Sequence, residues 1–281
     1  MKVRLLIHGP GKGKYNMAVD EAVHNAYQRG HTGPTLRFYR WKPACLSVGR
    51  FQDVRKQVNL ENLRQLGIDL VRRQTGGRAV LHDDELTYSL VISERLLPGS
   101  ILETYKAISQ ALVNALRNLG VPAQLSELEK GVTARDPRFK GAACFSAASW
   151  YEIEAHGKKI IGSAQFRKGG VILQHGSIPL SIDYAKLVKC LKSSSQAHAG
   201  RLESMLSNKA AGVCQLAPRP VGIDELQEEL IQSFEITFGW KLEKGSLSPE
   251  EIAETVKLCQ SKYGDDTWTM KRAGAGVNYE D

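Results

Sequence analysis

The chain has 281 residues, 42% hydrophobic and 24% charged, with five cysteines and a net charge of +8. A chain of this length buries roughly 75% of its unfolded surface, so its core needs no staple; five scattered cysteines without a CxxC pair exclude a disulfide framework and a structural zinc site. The N-terminal apolar run is too short for a signal segment, and no run is long enough to cross a bilayer, so a soluble protein of the reducing cytoplasm is expected.

In chain order, Asn16 is placed to cap a helix over "MAVDEAVHNAYQR", with Val19, Ala22, Val23, Ala26 and Tyr27 on its apolar face and Gly30 just past its end. "TLRFYRW" and "ACLSVGRF" read as strands separated by a Lys-Pro turn. "ENLRQLG" is a short helix closed by glycine. "IDLVRRQTGG" runs from strand into turn, and "AVLHDDELTYSLVIS" returns as one strand. In "ETYKAISQALVNALRNLG", Tyr105, Ile108, Leu112, Ala115, Leu116 and Leu119 share one helix face. "SELEKGVTARDPRFKGAA" lacks apolar periodicity and is expected to be a long loop. "SWYEIEAHGKKIIGSAQFRKGGVILQHGSIPLS" reads as a three-stranded meander, "DYAKLVKCLK" as a brief helix and "KSSSQAHAG" as a mobile connector. "DELQEELIQSFEITFG" and "SPEEIAETVKLCQSKYG" are amphipathic helices, and "KRAGAGVNYED" is an expected frayed tail. Strands and helices do not alternate strictly, which favours an α+β fold with a mixed, mostly antiparallel sheet. The expected organisation is a catalytic domain over 1–220, with 221–281 a helical extension on the same body.

Three stretches bear on chemistry. "GPGKGKY" has the composition of a phosphate loop but not its spacing, and Tyr15 stands where Ser or Thr is needed. "RRQTGGRAVLHDD" admits two readings: a hairpin with its charges in water, or a glycine turn whose backbone N–H groups, flanked by Arg72, Arg73 and Arg78, cradle a carbonyl, carboxylate or phosphate. His82 and Asp83 lack further ligands at useful spacing, so no metal is expected. Cys190 and Cys259 lie on apolar helix faces and read as core residues, as do Cys45 and Cys214. Cys144, in "KGAACFSAASW", sits among small residues at the end of the polar loop, a context that exposes a thiol. A free thiol of pKa ~8.5 is only slightly ionised at neutral pH, so a nucleophilic cysteine needs a nearby cation, for which Lys159 in "HGKKIIGSAQ" is the candidate.

These segments, with "YNMAVDEAV" and "RFYRWKPACLSVGRFQ", resemble the biotin/lipoate protein ligase catalytic superfamily over nearly the whole chain. The stretch "CFSAASWYEIEAHGKKIIGSAQ" is similar to that of the LipM-type octanoyltransferases, and Arg78, where many lipoate ligases have a third glycine, points to the same branch. The resemblance implies a biotin/lipoate ligase-like α+β domain in which Cys144 carries an acyl thioester and Lys159 lowers its pKa. It further implies that Arg73, Thr75, Gly76 and Gly77 wall an acyl tunnel, together with Gly162, Ser163 and Ala164. His82, on the following strand, is expected to orient the carrier's arm or the thioester carbonyl. The implied reaction moves octanoyl from octanoyl-acyl carrier protein to a lysine of a lipoyl-domain protein such as the glycine-cleavage H protein, with no ATP, metal or other cofactor. The positive charge suits such acidic partners; no nucleic-acid or membrane partner is expected, and the protein is read as a monomer. The alternatives are an ATP-dependent lipoate ligase, which carries an accessory C-terminal domain for which few residues remain after 220, an octanoyl amidotransferase of the same superfamily, and a non-catalytic acyl-binding relative.

Overall fold

The computed structural model describes residues 1–127 and 151–270, with Glu127 and Tyr151 described in their backbone only. Strand Lys2–Gly11 (β1) leads into helix Gly13–Gln28 (α1), followed by strands Thr35–Trp41 (β2) and Cys45–Val48 (β3), helices Val54–Gln57 (α2) and Leu60–Gln65 (α3), and strands Asp69–Arg72 (β4), Val80–His82 (β5) and Glu85–Ser93 (β6). Helix Ile101–Asn118 (α4) and strand Gln124–Glu127 (β7) precede the meander Tyr151–Ala155 (β8), Lys158–Lys168 (β9) and Val171–Pro179 (β10). Helices Tyr184–Cys190 (α5), Gln196–Lys209 (α6), Val213–Leu216 (α7) and Ile223–Phe238 (α8), strand Lys241–Lys244 (β11) and helices Pro249–Ser261 (α9) and Asp266–Met270 (α10) complete the described chain.

The strands form an eight-stranded sheet of order β11-β1-β2-β6-β10-β9-β8-β7 and a three-stranded sheet of order β4-β3-β5. Pairing is parallel at β11-β1, β1-β2 and β3-β4 and antiparallel elsewhere, so the fold is α+β with mixed sheets flanked by helices. Strand alternation explains how the large sheet is covered. Leu86, Tyr88, Leu90 and Ile92 of β6 join a core with Ile108, Leu112 and Leu116 of α4 and Leu226, Leu230 and Phe234 of α8. On the opposite face Val91 packs with Leu6, Leu173 and the Val19 and Val23 side chains of α1. Helix α9 lies on α1, tied down by Arg4, whose Nη1 donates to Glu251 Oε2 at 2.8 Å, and by Lys262, whose ammonium sits 2.7 Å from Glu21 Oε2. Among the described residues no helix is long and apolar enough to cross a membrane.

Several local expectations need correction. Helix α1 starts at Gly13, so Asn16 is not a cap; it is buried inside the helix, donating to Arg40 O at 2.9 Å and accepting from Arg37 Nη2 at 2.9 Å. "AVLHDDELTYSLVIS" is two strands in two sheets, and β3 separates β4 from β5, so the Thr-Gly-Gly turn does not close a hairpin. "KSSSQAHAG" is no loose connector: Ser195 Oγ accepts from the His198 N–H at 3.1 Å and starts α6. The polar stretch read as a loop begins inside β7, and its remainder, from residue 128, lies outside the described residues. Cys45 and Cys190 are buried, but Cys259 is half-buried and Cys214 exposed. Residues 221–270 contain a strand as well as helices, because β11 adds to the edge of the large sheet beside β1. The tail 271–281 also lies outside the described residues.

Candidate active site

A cleft of about 410 Å³ opens between the two sheets. One wall comes from the small sheet and its loops: Ser47, Arg73, Gly77, Val80 and His82. The other comes from the large sheet, with Tyr39 and Trp41 of β2, Thr87 of β6, Gly162, Ser163 and Ala164 of β9 and His175, Gly176 and Ser177 of β10, while Met17 of α1 closes one side. Arg73, Gly77, His82, Gly162, Ser163 and Ala164 were singled out from sequence and meet here. Thr75 and Gly76 stand just behind the surface, holding the wall through Thr75 Oγ1 and the Gly76 carbonyl.

The Thr-Gly-Gly turn is built by backbone packing. Gly77 sits at φ +91°, a conformation that favours glycine. A Cβ on Gly49 would lie 2.0 Å from the Gly77 carbonyl oxygen, so the two turns can be pressed together only with glycine there. The Arg50 N–H donates to Thr75 O at 2.9 Å and fixes the contact. The two arginines have separate tasks. Arg72 points away from the cleft and donates to Gly49 O at 2.8 Å, Arg50 O at 2.9 Å and Thr269 O at 3.0 Å, securing the loop to α10. Arg73 grips the turn itself, donating to Gly76 O at 2.9 Å, Arg78 O at 2.7 Å and Ser47 Oγ at 3.0 Å. The guanidinium expected to face an anionic ligand is thus also the scaffold of the wall.

Beneath the wall runs a buried polar network. Asp20 of α1 accepts from Arg37 Nη1 at 2.7 Å and from the Tyr39 hydroxyl at 2.9 Å, and faces His175 Nδ1 at 3.2 Å. His175 Nε2 lies 2.8 Å from Thr75 Oγ1. Burial alone would push the Asp20 carboxyl up, but the Arg37 guanidinium and the His175 ring hold it below the usual carboxylate range. Burial lowers His175 and favours a neutral ring, although Asp20 pulls the other way. His82 stacks on Trp41, with ring centroids 3.9 Å apart, and both its nitrogens are engaged: Nε2 with Ser47 Oγ at 2.7 Å and Nδ1 with Glu85 Oε1 at 2.8 Å. Asp83 leaves this cluster and pairs with Lys186 at 2.6 Å.

Lys159 is buried on β9, earlier on the strand than Gly162, and its Nζ donates to Glu152 Oε1 at 2.9 Å. Cys144 lies outside the described residues. Sequence reasoning missed Asp20, Ser47, Glu85 and His175. A signal existed for two of them: Asn16 and Asp20 are polar residues four apart on an otherwise inward helix face, and His175 interrupts an apolar strand.

The comparisons with known proteins agree with this geometry. The family model described as "Lipoyl protein ligase A/B catalytic domain" matches residues 12–235. The chain is 44% identical over 271 residues to a protein named octanoyltransferase LipM of Kyrpidia tusciae, covering 96% of this chain and 98% of that one. It is 39% identical over 275 residues to the octanoyltransferase LipM of Bacillus subtilis, covering 96% and 98%. Its fold matches a bi-partite lipoate protein ligase from Thermoplasma acidophilum with a TM-score of 0.81 at 28% identity, covering 99% of this chain and all (100%) of that one. A lipoate-protein ligase A bound with ATP matches with a TM-score of 0.79 at 30% identity, covering 96% and 99%. The chain belongs to the lipoyl protein ligase A/B catalytic-domain family and, within it, groups with the octanoyltransferases named LipM.

Proposed function

We propose that this chain transfers an octanoyl group from octanoyl-acyl carrier protein to a lysine of a lipoyl-domain protein, such as the glycine-cleavage H protein, through a thioester on Cys144. The observation that carries this reading is the cleft: Met17, Trp41 and Val80 supply apolar surface, and Gly77 with the Gly-Ser-Ala segment lines a chain-binding slot, with Thr75 and Gly76 holding the wall from behind. Burying the alkyl tail of an octanoyl group there is worth roughly 5 kcal/mol, at ~0.8 kcal/mol per methylene.

The transfer divides into two displacements. The Cys144 thiolate attacks the donor thioester, the bond to the carrier's sulfur breaks, and the carrier leaves as a thiolate that takes a proton from solvent. The neutral ε-amine of the acceptor lysine then attacks the octanoyl-cysteine, the Cys144 thiolate leaves, and the amine's surplus proton passes to solvent. Lowering a thiol pKa by two units requires ~2.7 kcal/mol of differential stabilisation of the thiolate, within reach of one ammonium in a partly dry pocket. Lys159 is the group proposed to supply it, with Glu152 holding its ammonium in place through the 2.9 Å hydrogen bond. Backbone N–H groups at Gly76-Gly77 are proposed to receive the developing oxyanion, an effect worth ~3 kcal/mol in other acyl-transfer enzymes. His82, between Ser47 and Glu85, is proposed to steady the wall beside the thioester. The donor thioester already holds the activation, so no nucleotide is required, which separates this reading from that of an ATP-dependent lipoate ligase. A working thiolate also suits a reducing cytoplasm.

Incubation with octanoyl-carrier protein followed by intact mass measurement tests the proposal. An octanoyl adduct is expected on the wild-type chain and none on Cys144→Ser; an adduct that persists in that variant overturns it. Lys159→Ala is expected to slow alkylation of Cys144 by iodoacetamide near neutral pH, and an unchanged rate dismisses Lys159 as the activating cation.

A further inference from the structure

We infer that Glu85, which does not itself line the cleft, is a positioning residue: it is the terminal acceptor of three donor chains that begin on the cleft walls, and it fixes His82 as the Nδ1–H tautomer. The inference concerns the cleft assigned above, but its central measurement needs no acyl chemistry.

Groups that can only donate constrain the directions of these bonds. Arg73 has only donors, and its Nη1 lies 3.0 Å from Ser47 Oγ, so Ser47 accepts there. Of these two partners only His82 Nε2, at 2.7 Å, is able to accept the Ser47 hydroxyl proton, and we take that direction. A ring that accepts at Nε2 carries its proton on Nδ1, and Nδ1 faces Glu85 Oε1 at 2.8 Å. The second chain starts at Trp41, whose Nε1–H, a donor only, reaches Thr87 Oγ1 at 2.8 Å; the Thr87 hydroxyl in turn donates to Glu85 Oε1. The third is one step long, from the Ser177 hydroxyl to Glu85 Oε2. Trp41, Ser47, Arg73, His82, Thr87 and Ser177 all line the cleft. One buried carboxylate is therefore the common end of hydrogen-bond chains from both walls.

The backbone is arranged to permit this. Residues three apart on a continuous strand point to opposite faces. His82 ends β5 and Glu85 begins β6, and the break at Asp83-Asp84 lets both side chains turn into one cluster. Glu85 thereby joins the small sheet, through His82 and Ser47, to the large one, through Thr87 and Ser177. Glu85 is 1% exposed. Burial would push its carboxyl up, yet the His82 ring and the hydroxyls of Ser177 and Thr87 hold it below the usual carboxylate range.

The test is long-range proton–nitrogen correlation NMR of the His82 ring in the full chain near neutral pH, with His82→Gln used to assign the signal. The expected result is a ring protonated at Nδ1 and bare at Nε2; a wild-type ring protonated at Nε2, alone or together with Nδ1, overturns the inference. Two variants extend it. In Glu85→Gln the amide oxygen replaces Oε1 as acceptor for His82 and Thr87, and Ser177 rotates to accept from the amide, so the tautomer is kept and octanoyl transfer survives. In Glu85→Leu no acceptor remains, the tautomer preference is lost, and kcat/KM falls by about 10- to 100-fold, by analogy with the loss of the outer partner of a metal-bound histidine. Glu85→Gln behaving like a null variant, or Glu85→Leu keeping both tautomer and rate, overturns the inference. If wild-type chain shows no octanoyl transfer at all, the functional reading fails while the tautomer result still decides this one.

Discussion

The two faces of β6 are made by the same nine residues and behave as different materials. Leu86, Tyr88, Leu90 and Ile92 enter the large apolar core beneath α4 and α8, where shape and volume matter. Glu85, Thr87 and Ser89 look the other way, and the first two belong to the hydrogen-bonded wall of the cleft. Both faces are equally dry. Burial alone therefore does not distinguish a core from a site; what distinguishes them here is whether the buried groups are held by dispersion or by directed bonds to charge. On the first face, removing atoms leaves a cavity. On the second, removing one partner leaves a buried donor or charge with nothing to satisfy it, which is the costlier defect per atom.

The contrast can be broken or sharpened by four measurements. Asp20→Ala leaves the Arg37 guanidinium buried without its carboxylate, and a loss of about 3–5 kcal/mol in denaturant unfolding is expected, with transfer activity falling in parallel; a change below about 1 kcal/mol would show that the polar face is not held by charge. Leu90→Ala opens a hole in the apolar face and should lower stability by about 2–5 kcal/mol, while the folded variant keeps its kcat/KM. A large rate loss in that variant would erase the division between the faces. Gly49→Ala drives a Cβ into the Gly77 carbonyl; about 1–3 kcal/mol of destabilisation is expected, with a KM defect out of proportion to it. The smallest effect is that of mild acid. Burial lowers His24 and His175, and lowers His8 to about 4, so below pH 6.5 the unfolded chain takes up protons that the folded chain refuses. Stability should fall by about 1 kcal/mol between pH 7 and pH 6. It should fall again below about pH 4, the unfolded carboxylate range, where the depressed Asp20 and Glu85 carboxyls begin to lose their contribution, until they too protonate. Thermal melts across this range check both steps, and a flat profile to pH 5 would contradict the first.

Much of the site was legible because it is contiguous. Arg73, Thr75, Gly76, Gly77 and His82 lie within ten residues of one another, and a glycine pair beside arginines marks a turn that must approach something closely. Gly162, Ser163 and Ala164 were legible only through the family resemblance, since nothing in their residue types demands a cleft. Glu85 escaped because it reads as an ordinary residue of its own element, and Asp20 and His175 because a polar residue on an inward face does not say what it meets. Their chemistry arises only when α1, β6 and β10 bring them within 3.2 Å of partners far away in the chain or across a strand break. The misplaced start of α1 has the same origin: Asn16 has the side chain of a cap, but Arg37 and the Arg40 carbonyl, from another element, claim it.

The sequence by itself determined many of the elements and their inward faces, among them the Ile108, Leu112 and Leu116 face of α4, because side-chain periodicity is a local property of the chain. It also determined the chemical repertoire of the glycine turn. Only the tertiary structure decided that β5 and β6 belong to different sheets, that Arg72 and Arg73 serve opposite sides of one loop, and that a carboxylate outside the cleft orders its walls. The reason is physical: a hydrogen bond between buried groups depends on position and direction in three dimensions, and neither is encoded in the residues that flank each partner.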